Sequence, residues 1–350
     1  MIIDSSKENI KKAAEQIIAG ELVAFPTETV YGLGSDGLNP TAVAKIFEAK
    51  NRPSFNPLIL HIASRDQLKE LVLIENDIVY ELINKFWPGP LTLVLPKKEI
   101  VPEIVTAGNT TVAVRMPQHP IAKALIEACG RPIAAPSANK FGFLSPTTAE
   151  HVEKQLGDKI NFILDGGKSV VGVESTIVEV NKDEVLLLRH GGISIEQLKG
   201  VCDNIKSKDV NHDNPNAPGQ LLNHYAPNIP LKFISEISEQ EIIGKKLGGL
   251  FFKENNTKIN FEQIEYLSKS GDMVEAAANL FYYLHELENK NLDLILVEAV
   301  EEKGLGIAIM DRLVKATNTY KWKKANNPAK ILERFNNEIK NKGNEFKEIL

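Results

Sequence analysis

The stretch from about residue 200 to 230, which contains KSKDVNHDNPNAPGQLLNHYAPNIP, constrains this chain more than any other. It is rich in Asn, Asp and Pro and poor in hydrophobic periodicity, so it reads as a linker. A chain of 350 residues also exceeds one average domain. The expected organisation is a larger unit at 1–200, a linker at 201–230, a smaller unit at 231–325 and a charged tail at 326–350 with Ile331, Phe335 and Ile339 spaced by four.

Before the linker, helical and extended patterns alternate. Residues 7–20 place Ile10, Ala13, Ala14, Ile17 and Ile18 at helical spacing and close on Gly20. ELVAFPTETVYGLG reads as strand and loop, and NPTAVAKIFEAKNR as a helix capped by Asn39 with Pro40 at its first position. PLILHIA is a strand, DIVYELINKFW a helix stopped by the Pro-rich run after Trp87, and LTLVLP a strand. TTVAVRMP, PIAAPSAN, NFILDGG, ESTIVEV and EVLLLRH add extended candidates. This mixture predicts an α/β or α+β unit to about residue 195. Beyond the linker, KLGGLFF and LDLILVEAV read as buried strands, Asp272 to Asn289 as a helix with Asp272 and Glu275 in a capping box, and IAIMDRLVKAT as a last helix. A second, smaller α/β unit is expected there.

Composition narrows the function classes. Hydrophobic residues make up 43% and no apolar run reaches the roughly 18 residues of a membrane span. The first residues lack the pattern of a secretory signal, so the expectation is a soluble, cytoplasmic protein without membrane contact. Cys129 and Cys202 lie far apart with no C-x-x-C pair, and the seven histidines show no metal-ligand spacing, so no metal site is expected. A net charge of −5 argues against a protein that coats nucleic acid over its whole surface.

Several short motifs invite functional readings. GLGSDG, Gly32 to Gly37, matches G-x-G-x-x-G, but the helix cap at Asn39 follows the last glycine and no acidic residue ends the next strand, so a glycine-rich turn is the preferred reading over a dinucleotide site. DGGKS, Asp165 to Ser169, has Phe162 where a phosphate loop needs its first glycine. Lys50 and Arg52 follow a helix, where solvated cations complementing the dipole are the commoner outcome. Arg115 and Arg189 each end an apolar strand, and a cation carried there needs an anionic partner. Ser137 and Asn139 alternate and share a face if extended. His61, alone on an apolar strand, reads first as a satisfied core histidine. Residue by residue, the yield is an anion pocket of Lys and Arg with hydroxyl and amide groups, suited to a nucleotide and a small polar ligand.

PTETVYGLG, KIFEAKNRPSFNPLILHI, WPGPLTLVL, VAVRMP, PSAN, GVESTIV and LRHGGIS, in that order, resemble the YrdC-like threonylcarbamoyl-AMP synthases, and APGQLLNHYAP with GLGIAIMDRL resembles their long form. The resemblance spans about residues 5–316. It implies a YrdC-like twisted mixed sheet with helices plus a smaller Rossmann-like α/β C-terminal domain. It also implies synthesis of L-threonylcarbamoyl-AMP from L-threonine, bicarbonate and ATP with release of pyrophosphate, the first step of threonylcarbamoyladenosine formation in tRNA. Downstream transferase machinery would take the product, magnesium would accompany ATP, and there is room for a weak tRNA contact. By the same resemblance Thr29, His61, Arg115 and Ser175 would bind threonine, with Arg115 taking its carboxylate. Lys50, Arg52, Asn56, Ser137, Asn139, Ser145, Arg189 and Tyr225 would bind ATP, with Lys50 and Arg52 the catalytic pair against its phosphates. His224 to Pro227 would lie over the nucleotide as a lid. Long-form members usually carry basic residues just before that motif, where this chain has Leu221, Leu222 and Asn223.

Three other readings compete. An RNA-binding protein of the same fold needs a basic concave surface, a carbamoyl-adenylate-forming enzyme usually brings zinc-binding C-x-x-C pairs that are absent here, and a dinucleotide oxidoreductase rests on the glycine motif alone.

Overall fold

The structure is a computed structural model that describes residues 1–182, 184–207, 217–219, 221, 224–254 and 257–325, with side chains to 321. The tail at 326–350 and the linker residues 208–216, 220, 222 and 223 lie outside the described residues, so the expectations for the tail and for Leu222 and Asn223 go untested.

Among the described residues the larger unit is built on an 11-stranded mixed sheet. Its spatial order is Ile2–Ile3, Phe162–Leu164, Val23–Phe25, Gly32–Asp36, Ile133–Ala134, Ile59–His61, Thr111–Arg115, Leu91–Pro96, Thr176–Val180, Val185–Arg189 and Ile205–Ser207. Alternation along the central strands sorts side chains between faces. Leu60, Val112, Val114, Val178 and Leu187 join the main core, while Ile59, Ala113, Ile177 and Leu188 form a smaller cluster on the opposite face, which the linker residue Ala217 covers. His61, Arg115 and Ser175 share the parity of that second face. Arg189 does not: strict alternation would put it with Val185 and Leu187, but the pairing slips between Leu187 and Arg189, and this irregularity turns the guanidinium to the cleft side.

Local chemistry accounts for the helices. Lys7–Ile18 starts at a Ser6 cap and buries Ala13, Ala14 and Ile17. Pro40–Lys50 starts where Asn39 accepts from the Thr41 and Ala42 amides. Ile78–Phe86 also forms as its periodicity predicts. The glycine-rich segment departs from expectation. Gly32–Asp36 is a fully buried strand paired with Val23–Phe25, not a turn, because the Phe25 ring occupies the space that side chains at Gly32 and Gly34 would take.

Among the described residues the second unit is a four-stranded parallel sheet in the order Leu231–Phe233, Leu294–Val297, Leu247–Phe251, Gln263–Tyr266. The helices Met273–Glu288 and Leu305–Ala325 cover one face with Leu280, Phe281, Leu284, Ile309 and Leu313, and Val30, Leu144 and Val173 of the larger unit pack into the same cluster. Asp272 caps the first of these helices, but only half of the expected box forms. Glu275 accepts from the Ser268 hydroxyl, whose oxygen accepts the Asp272 amide instead. Among the described residues no helix is long and apolar enough to cross a membrane.

Candidate active site

The loop between Val23–Phe25 and Gly32–Asp36 forms the floor of a cleft that is partly open to solvent. Thr27 donates its hydroxyl to Val30 O at 2.6 Å, so the 2.8 Å contact between the Thr27 and Thr29 hydroxyls has Thr29 as donor. Thr29 in turn accepts from Arg115 Nη1 at 2.8 Å, while Arg115 Nη2 donates to Glu28 at 2.7 Å and Nε to Gly89 O at 3.2 Å. These contacts engage three of the five guanidinium N–H groups and leave two. Beside them His61 is buried, with its Nδ1 unpaired. Burial and then the Arg115 charge push its pKa down to about 3, so the ring is neutral.

A second group lies where Pro40–Lys50 ends. Lys50 is 1% exposed, which corrects the expectation of a solvated helix end. Its ammonium donates to Ser137 O at 2.5 Å, to Asn139 O and to Asn139 Oδ1 at 3.3 Å. Burial holds its pKa well below the usual lysine range, with the Arg52 charge adding to the effect. Arg52 is equally far from solvated: it donates to Asn56 O at 3.1 Å, Asn56 Oδ1 at 2.7 Å and Pro57 O at 2.8 Å, and lies over Phe141. Burial pushes its pKa down to about 9, so it stays a cation at neutral pH. Asn139 accepts the Ser137 hydroxyl at 2.5 Å and donates to Lys140 O and Phe143 O, which ties the PSAN loop to the helix end.

The third side comes from two strand ends and the linker. Arg189 donates to Ser175 O at 2.9 Å, Ser175 Oγ at 3.1 Å and Pro218 O at 3.0 Å. Ser145 donates to Glu174 at 2.5 Å, and the other Glu174 oxygen accepts from Arg312 at 3.0 Å. Tyr225, at φ +64°, packs on Phe281, and His224 meets Phe141 edge-on. Pro218, Gly219, His224 and Tyr225 close one wall.

Of the residues singled out in the sequence, Thr29, Arg52, His61, Arg115, Ser137, Ser175, Arg189 and Tyr225 line the cleft. Lys50, Asn56, Asn139 and Ser145 stand one layer behind, bonded to lining residues or to the segments that carry them. Three residues escaped the sequence reading: Glu28, Glu174 and Arg312. Arg312 did leave a trace, since it falls on the apolar face of its helix between Ile309 and Leu313. Charge balance gives the cleft its chemistry. Arg115 has Glu28, but among the described residues no carboxylate lies within 4 Å of Lys50, Arg52 or Arg189. Arg52 and Arg189 are buried guanidinium groups with no carboxylate in direct contact, Arg189 feeling Glu174 only beyond salt-bridge distance, and the Lys50 amine stands behind them; such a set calls for a polyanion.

Comparison with known proteins gives concordant results. A family model described as telomere recombination matches residues 15–191, and one described as threonylcarbamoyl-AMP synthase, C-terminal domain, matches residues 193–318. A threonylcarbamoyl-AMP synthase of Pyrococcus abyssi is 46% identical over 88% of this chain and 94% of its own length. One of Bacillus subtilis is 41% identical over 90% and 94%. A crystal structure of P. abyssi Sua5 complexed with L-threonine superposes with a TM-score of 0.84 at 43% identity, covering 91% of this chain and 98% of that one.

Proposed function

The chain belongs to the threonylcarbamoyl-AMP synthase family, and on that premise we propose how its cleft performs the reaction. The enzyme joins L-threonine, bicarbonate and ATP into L-threonylcarbamoyl-AMP, releases pyrophosphate and so supplies the first step of threonylcarbamoyladenosine formation in tRNA.

In this proposal the catalytic unit runs past the expected boundary at 200, to 207, because Ile205–Ser207 is the edge strand of its sheet. The linker residues Pro218, Gly219, His224 and Tyr225 act as a lid on the cleft, and 231–325 braces both. Threonine sits on the Thr29 loop. Its carboxylate takes the two free N–H groups of Arg115 and its other polar groups meet Thr29, Ser175 and the neutral His61. Its amine nitrogen bonds to the bicarbonate carbon as a C–O bond breaks and water leaves, which gives the carbamate. One carbamate oxygen attacks the α-phosphorus of ATP as the bond to pyrophosphate breaks. Arg52 and Arg189 hold the triphosphate, Lys50 adds its charge from behind, and Asn56, Ser137, Asn139, Ser145 and Tyr225 fix the nucleotide. Positioning and relief of phosphate charge carry the rate, and no side chain is assigned as a general base.

Magnesium enters as part of the ATP substrate. Glu28 and Glu174 are both committed to ion pairs, a donor set that does not fit a metal of the protein's own. A cytoplasmic location, transfer of the product by separate machinery and a weak tRNA contact belong to the same proposal.

The buried basic groups beside the Thr29 pocket, Lys50, Arg52 and Arg189, with no carboxylate in salt-bridge contact among the described residues, are the observation that carries this reading. Pyrophosphate release with ATP, magnesium and bicarbonate should depend on L-threonine, and labelled threonine should appear in an adenylate. Release that ignores threonine, from folded protein that binds ATP, sinks it. Serine should be turned over about 10- to 200-fold less efficiently, since one methyl separates the two substrates.

A further inference from the structure

Arg312 belongs to the second unit, on the helix Leu305–Ala325, yet it is 1% exposed and its guanidinium reaches the edge of the cleft. Nε and Nη2 both lie 3.0 Å from one oxygen of Glu174, and Nη1 donates to His190 O at 2.6 Å and to Asp311 at 3.0 Å. The other Glu174 oxygen takes the Ser145 hydroxyl. Glu174 is thereby held on the side of the second unit, although Arg189 grips Ser175, the very next residue.

This placement raises a question of charge. Glu174 is 6% exposed and precedes the serine that Arg189 binds, and after Arg312 the cation whose charge acts on that carboxylate is Arg189. An Arg189 paired with Glu174 is lost to a polyphosphate. We infer that Arg312 is a positioning residue for nucleotide binding: by holding Glu174 in direct contact it keeps that carboxylate from forming a salt bridge with Arg189 and leaves the Arg189 guanidinium available to the triphosphate. The inference rests on the assignment of Arg189 to ATP made above. Burial alone would raise the Glu174 pKa, but Arg312, Arg189 and the Ser145 hydroxyl hold it below the usual carboxylate value, so the group is charged and needs a partner. A mere tie between the two units makes a different demand, because a buried ion pair of that kind is replaceable by a neutral pair with little effect on ligand binding only if no third charge depends on it.

The test measures KM for ATP and for threonine in Arg312→Met, Arg312→Lys and the double variant Glu174→Gln/Arg312→Met. Arg312→Met should raise KM for ATP at least about tenfold and KM for threonine far less. Arg312→Lys keeps the charge, and the double variant removes the stranded carboxylate while keeping an acceptor for Ser145. Both should return KM for ATP to within about threefold of the parent. A double variant that folds but keeps the high KM for ATP overturns the inference, as does an Arg312→Met enzyme with unchanged KM. Should Arg312→Met fail to fold, Arg312→Gln, which keeps polar donors but no charge, takes its place with the same expectation and the same overturning result. Absence of threonine-dependent turnover in the parent would instead remove the reading of the site.

Discussion

Lys50 shows what a single side chain contributes here and why sequence undersold it. Its ammonium sits against three oxygens of Ser137 and Asn139, some 87 and 89 residues away along the chain. Nothing local signals that burial, and a lysine closing a helix is ordinarily solvated. The glutamate at 174 and its arginine at 312 are further apart still, separated by 138 residues. Arg115 and Arg189 were more legible, because a cation closing an apolar strand has few solvated options. Replacing Lys50 by Met sets two terms against each other. It removes a buried charge that has no carboxylate, and it leaves the two carbonyls without their donor at about 1–3 kcal/mol each. Ligand-free stability should therefore change by no more than about 2 kcal/mol, while ATP affinity falls at least about tenfold with the loss of one cation from the polyanion site. Thermal unfolding with and without ATP and magnesium reads both. Marked destabilisation with unchanged ATP binding would make Lys50 a clamp on the PSAN loop and nothing more.

At the scale of elements, the central strands and the two capped helices follow their sequence patterns closely, whereas the strand Gly32–Asp36 runs against them. Glycine is poor in strands, and three glycines in six residues read as a turn. Packing overrides that preference: a Cβ on Gly34 would lie 2.8 Å from Phe25 and 2.8 Å from Ile133, so only glycine lets this strand lie beneath the ring. Phe25 also stands edge-on to His61, with ring centroids 6.1 Å apart. Gly34→Ala should cost about 1–3 kcal/mol by overpacking. The displaced ring should press on His61, raising KM for threonine more than KM for ATP. A urea midpoint and the two KM values check this, and a larger effect on ATP would disconnect the strand from the threonine side. The slip in pairing before Arg189 makes the same point in reverse, since period-two reasoning aims that side chain into the main core.

Across the whole molecule, the two units meet through buried polar groups as well as apolar ones, and this predicts how the joint responds to acid. His151 of the helix Ala149–Leu156 stacks on His285 of the helix Met273–Glu288, with centroids 3.9 Å apart. His285 Nε2 lies 3.2 Å from Ser145 O, and His151 Nδ1 lies 3.3 Å from the Thr147 hydroxyl. Burial pushes the two pKa values down to about 3 and about 4. Around His151, Lys154, Lys168 and the second imidazole lower it further while Glu150 opposes, and Glu288 stands 3.8 Å from His285. Both folded values lie below the ordinary 6.5, so between about 3 and 6.5 the unfolded chain binds more protons than the folded one, His285 contributing down to about 4 and His151 to about 3. The contribution of the pair is complete above pH 6.5 and is lost as pH falls through that window. At pH 5 the loss is at most about 2 kcal/mol for each histidine, from 1.36 kcal/mol per unit over 1.5 units. His61 titrates in the same direction, so the pair must be isolated by difference. Urea unfolding at pH 7.5 and pH 5 should show the double variant His151→Phe/His285→Phe less stable than the parent at pH 7.5 but with a shallower fall on acidification. Parallel falls would show that the stacked pair leaves the acid response of the joint to other groups.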